Sequence, residues 1–164
     1  MPKFNTNIDS VVLFSTNVNI TDNTPQTLHL TDTAANMKSV LVRNNINNIA
    51  DGMCRFNFVH LMPNVPAVDL YLNGVLMRAN IPYLGASGAM DIPVGINAPG
   101  FVSGATTTWA VRSAGATATS PALVSFASAS GLISGAALTG FCMGYSGATG
   151  ARLPFLAMTL DKNQ

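Results

Sequence analysis

The side chains best suited to proton transfer, nucleophilic attack or metal binding are few: two histidines, two cysteines and seven aspartates, with no glutamate. His60 and Asp69 lie nine residues apart around Pro63 and Pro66, which bend the chain enough for the two to face each other. A hydrogen-bonded His–Asp pair that holds a loop between two strands is the expected outcome. A catalytic dyad would also need a positioned nucleophile. No Ser or Thr sits in a nucleophile elbow or beside a second histidine, so no catalytic residue is expected.

Metal chemistry fares no better. His29, Cys54, His60 and Cys142 are scattered without the short spacings of a zinc site. Asp9, Asp22, Asp32, Asp51, Asp69, Asp91 and Asp161 are spread singly, whereas a calcium loop needs several at alternating positions. No metal and no cofactor are expected. Cys54 and Cys142 each fall in an expected strand. One disulfide between them would close a long loop and contribute about 2–4 kcal/mol. Two buried thiols packing as small hydrophobes, or a bond between subunits, are the alternatives.

The elements that must position these residues read as strands. Short runs rich in Val, Leu, Phe and Thr alternate with Asn, Asp, Gly and Pro, and no stretch keeps a helical apolar period over three turns. Strands are expected at 11–17, 27–31, 39–43, 54–61, 67–72, 75–80, 89–93, 107–112, 123–129, 139–145 and 155–160. The strongest local signal is Asn73-Gly74 between two alternating runs, the mark of a two-residue hairpin. Val68, Leu70 and Leu72 point one way there; Asp69 and Tyr71 point the other. The expected fold is all-β: an antiparallel β-sandwich of the immunoglobulin-like or Greek-key kind, with an N-terminal β-strand extension. A shift near Ala50-Asp51-Gly52 from Asn/Thr/Asp-rich to Ala/Gly/Ser-rich sequence divides the chain into an extension, 1–52, and a sandwich, 53–164.

The stretch Arg55-Phe56-Asn57-Phe58-Val59-His60-Leu61-Met62-Pro63-Asn64-Val65-Pro66-Ala67-Val68-Asp69-Leu70-Tyr71-Leu72-Asn73-Gly74 resembles the bacterial domain-of-unknown-function family 4397. Ile81-Pro82-Tyr83, Ile92-Pro93-Val94-Gly95 and the last two expected strands are similar to its later parts, so the resemblance runs over about 53–164. Leu61-Met62 stand where the family has small residues, and Asn64-Val65 where it has Asp-Ala. The resemblance implies a secreted or cell-surface β-sandwich without an established activity. It offers no counterpart for residues 1–52.

Composition narrows the function. Charged residues make up 9% of 164, against about 25% in an ordinary soluble domain, and mean hydropathy is +0.34. A net charge of +1 without a basic run excludes the footprint of a nucleic-acid binder. The uncharged stretch 131–150 is too rich in Gly, Ser and Thr for a membrane span. Between Ser113 and Ala151 no residue is charged, so a sheet face there would lack the charge that keeps monomers apart.

The expected function is therefore a non-enzymatic structural subunit of a fibre, appendage or layer, with copies of itself as partners. Val11, Val12, Leu13 and Phe14 would form a strand that adds to a neighbour's sheet edge. A monomeric cell-surface module for glycan or protein, its aromatics among Phe56, Phe58, Tyr71, Tyr83, Trp109 and Tyr145 forming a stacking platform, is the alternative. A virion protein is a lesser one. An extracellular or spore-surface location is expected. Residues 1–5 do not read as a secretory leader, so the export route stays open.

Overall fold

The computed structural model describes residues 12–21, 23–94, 106–128 and 132–163. Among the described residues ten strands follow one another: β1 (Gln26–Thr31), β2 (Lys38–Arg43), β3 (Met53–His60), β4 (Ala67–Leu72), β5 (Val75–Pro82), β6 (Met90–Pro93), β7 (Thr107–Ser113), β8 (Val124–Ser128), β9 (Ala137–Met143) and β10 (Phe155–Lys162). The protein is all-β, its only helical feature among the described residues being one 3₁₀ turn, Gly150–Arg152.

Two four-stranded sheets, ordered β10-β9-β3-β6 and β5-β4-β7-β8, enclose the core. Alternation dictates which side chains enter it. Phe56 and Phe58 of β3 come from one sheet; Leu70 and Leu72 of β4 and Trp109 and Val111 of β7 come from the other. Phe56 stacks on Trp109 with ring centroids 4.1 Å apart, which fixes the spacing at the centre. Gly140 of β9 lies against this stack, where a Cβ would meet the Phe56 ring at 2.6 Å. One strand pair departs from the antiparallel expectation: β3 and β9 run parallel, because the chain crosses to the second sheet twice before β9 returns beside β3.

The hairpin β1–β2 forms a third layer on the outer face of the first sheet. Val40 and Val42 pack there against Val59, Leu61, Phe141 and Met143, and Thr31 Oγ1 donates to the Leu61 carbonyl at 2.7 Å. Arg55 fastens the segment that follows β2. It holds Asp91 through two bonds of 2.7 and 2.8 Å and donates to Asn45 Oδ1 and the Asn47 carbonyl.

The strand expected at 11–17 is not formed. Residue Val11 lies outside the described residues, and residues 12–17 carry no strand, with Val12 and Leu13 81% and 63% exposed. Period-two alternation is present there, but a strand also needs a backbone edge to pair with, and no described edge of this chain takes it.

Candidate functional site

The segment from His60 to Gly74 leaves β3, turns, and returns through β4 to a hairpin. Asn73 (φ 49°) and Gly74 (φ 81°) take the left-handed conformations of a type I′ turn, as their residue types require. Asn73 Oδ1 also accepts the Thr108 N–H at 2.8 Å, tying the hairpin to β7.

His60 and Asp69 do not pair, contrary to expectation; each holds a different loop. A backbone carbonyl can only accept, so the 2.8 Å contact with Val65 O makes His60 Nε2 the protonated nitrogen. Its Nδ1 then accepts from Cys142 Sγ and the Met62 N–H, both at 3.4 Å. The loop closes further through Val65 N to Met62 O, and the Pro66 carbonyl accepts the Tyr83 N–H. Pro63 is half-buried and Pro66 exposed, so the two prolines shape the bend without entering the core. Asp69 faces away from the core, accepting Asn80 N–H at 2.7 Å and Gly115 N–H at 2.9 Å. Beside it Tyr71 donates to the Ala116 carbonyl and lies under the Arg112 guanidinium. Asp69 and Tyr71 are therefore covered by the loop after β7, although they lie on the sheet's outer face.

A thiol lies beside an imidazole, a nucleophile–base juxtaposition of which sequence spacing gave no hint because β3 and β9 are 82 positions apart where they touch. Its surroundings deny it reactivity. His60 and Cys142 are both wholly buried. Burial lowers the His60 pKa, against the opposing pull of the Val65 carbonyl, and pushes the Cys142 thiol up to about 12. A protonated thiol in an apolar interior neither attacks nor binds metal. Among the described residues no three His, Cys or Asp side chains gather in a metal-binding arrangement.

The disulfide is not formed: Cys54 and Cys142 are both buried free thiols. Cys142 is level with His60 on the adjacent strand, and Cys54 is six residues back along β3. At about 3.3 Å per residue that separation is roughly 20 Å, well beyond the ~7 Å limit for bridged Cα atoms. The aromatic platform is likewise absent among the described residues as a surface feature. Phe56, Phe58 and Trp109 fill the core and Tyr71 is covered, which leaves Tyr83 and Tyr145 half-buried.

Among the described residues a cavity open to the surface lies between the hairpin and the β9–β10 connection. It measures about 470 Å³, and its apolar wall is Leu30, Met37, Pro63, Met143, Leu153 and Phe155. Its polar rim is Asp32, Tyr145 and Arg152. The Tyr145 hydroxyl donates to Asp32 Oδ1, which also accepts the Thr33 N–H. These two bonds hold the Asp32 carboxyl below its usual range. Arg152 lies over the Tyr145 ring, 5.6 Å from its centroid.

Strand β1 supplies the cavity's most unusual feature. It turns His29 and Thr31 inward, 8% and 5% exposed, and its leucines outward: Leu28 and Leu30 are 42% and 45% exposed. The alternation is visible in the sequence; which face would be covered is not, because His29 finds an apolar setting against Phe141, ring centroids 5.4 Å apart. Leu153 and Phe155, 57% and 47% exposed, continue the apolar surface across the cavity.

Among the described residues no helix is long and apolar enough to cross a membrane. No curated protein matches the chain. The family model that matches begins at residue 3, so it takes in most of the stretch that the motif resemblance had set outside the family, and it ends within β4. Residues 3–71 match the model of the family described as a domain of unknown function (DUF4397).

Proposed function

We propose that the chain is a non-enzymatic structural protein that assembles with copies of itself, through strand and sheet-face packing, into an extracellular or surface fibre, appendage or layer. In this reading residues 1–52 are the assembly segment of a sandwich formed by 53–164. The observation that carries it is the outward pair Leu28 and Leu30, continuous through the cavity wall with Leu153 and Phe155. A strand docked on a sheet ordinarily spends its apolar face on that contact. Here the apolar face is left out, and contiguous exposed patches of this kind mark interaction sites. A chain with 9% charged residues has little else to keep copies apart.

A monomeric binding module for glycan or protein is the second reading. It is favoured by the cavity, whose volume falls in the ~300–1,000 Å³ range of small-ligand sites. Analytical ultracentrifugation of the chain and of a Leu28→Lys/Leu153→Lys variant separates the two. Self-assembly predicts large species that the variant loses; a binding module predicts monomers in both.

A further inference from the structure

Residues 12–21 combine two properties that rarely occur together. Their sequence alternates over a full strand's length: Val12, Phe14, Val18 and Ile20, interrupted only by Thr16, against Ser15, Asn17, Asn19 and Thr21, interrupted only by Leu13. Yet they form no strand, and Val12, Val18 and Ile20 are 81%, 36% and 84% exposed. Such alternation has a use only when one face is covered. None of these ten residues lines the chain's own cavity.

We propose that residues 12–20 of one copy lie extended across the cavity of a second copy, with the even-numbered side chains inserted against Leu30, Met37, Met143, Leu153 and Phe155. The inference rests on the self-assembly reading and names its two halves.

Three features favour a second copy of this chain as the occupant. The segment 12–21 carries no charge, so inserting it leaves no ion unpaired, and Asp32 at the rim is already satisfied by Tyr145 and Thr33. The strands flanking the cavity, β1 and β10, each end a sheet and each pair with one neighbour, β2 and β9. An incoming strand therefore finds a backbone edge as well as an apolar floor, as in strand addition. Finally, donor segment and acceptor cavity are different surfaces of one chain. That is the heterologous geometry which propagates head to tail wherever the rotation between copies does not close.

Two variants test this, each blocking one half: a donor variant, Phe14→Asp/Val18→Asp, and an acceptor variant, Leu30→Lys/Phe155→Lys. The donor positions lie outside every described strand and the acceptor positions are about half exposed, so both variants are expected to melt as wild type does. By light scattering, each variant alone should run at the 17.1 kDa chain mass. An equimolar mixture should give a species of twice that mass and nothing larger, because one intact donor and one intact acceptor remain. A donor variant that assembles as wild type does overturns the inference and leaves self-assembly standing. A mixture that stays monomeric overturns the assignment of the cavity as acceptor. A wild-type chain that is itself monomeric removes the reading on which both rest.

Discussion

Cys142 Sγ lies 3.4 Å from His60 Nδ1, on neighbouring parallel strands and out of reach of solvent. The pair has the atoms of a thiol nucleophile and its base, but the direction of its hydrogen bonds is set by packing. The Val65 carbonyl accepts the hydrogen bond from the imidazole's one N–H, so Nδ1 is left as an acceptor and the thiol keeps its own proton. The contact fastens the loop 61–66 to β9.

Thiol reactivity follows directly. Burial pushes Cys54 up to about 11 and Cys142 up to about 12. Neither should react with a water-soluble thiol reagent in the native protein at pH 8, and both should react once urea is added. A non-reducing gel of unfolded protein should show no internal disulfide. Rapid native labelling of either cysteine would contradict the burial.

Stability should fall as the pH drops from 7.5 to 5. Desolvation depresses the pKa values of both His29 and His60 below 6.5. As the pH falls below 6.5 the unfolded chain takes up protons that the folded one resists, so the folded state loses ground over that interval. The depressed carboxyls Asp32 and Asp91 contribute stability above about pH 3.8 and lose it only below. Urea midpoints at the two pH values check this. His29 Nε2 is buried without a hydrogen-bond partner, so His29→Leu should raise the midpoint at pH 5 and flatten the dependence.

Asp69 should be among the costliest single positions. Asp69→Ala leaves the N–H groups of Asn80 and Gly115 without their acceptor. Both bonds are only part-buried, so the loss should be about 1–3 kcal/mol in all, and Asp69→Asn, which keeps one acceptor oxygen, should lose less. Chemical denaturation measures both.

Gly140→Ala tests the centre of the sandwich. The added methyl would sit 2.6 Å from Cζ of the Phe56 ring, which is itself held in the stack with Trp109. Overpacking of this kind costs about 1–3 kcal/mol. A melting temperature equal to wild type would show that the core yields more easily than its geometry implies.

Most of the fold was legible. The Asn73-Gly74 turn, the alternation around it and the placement of every strand from β1 to β10 follow from local signals that tertiary packing left intact. What was not legible depends on pairing. Nothing local says that β3 and β9 run side by side, so Cys142 beside His60 could not be anticipated. Nor could the roughly 20 Å between the two cysteines, or the turn of Asp69 toward Asn80 and Gly115. Residues 11–17 failed in an instructive way: their alternation is genuine, but within one chain no described strand edge receives residues 12–17. The outward leucines of β1 were hidden for a related reason, because period two fixes that two faces differ and not which one is covered.

Self-assembly is the claim on which the functional account depends. Its most direct measurement is light scattering coupled to size-exclusion chromatography on the purified chain over a concentration series, with negative-stain images of the eluted material. The account predicts mass that rises with concentration and elongated or sheet-like particles in the images. A single 17.1 kDa species at every concentration, with nothing resolved in stain, would contradict it.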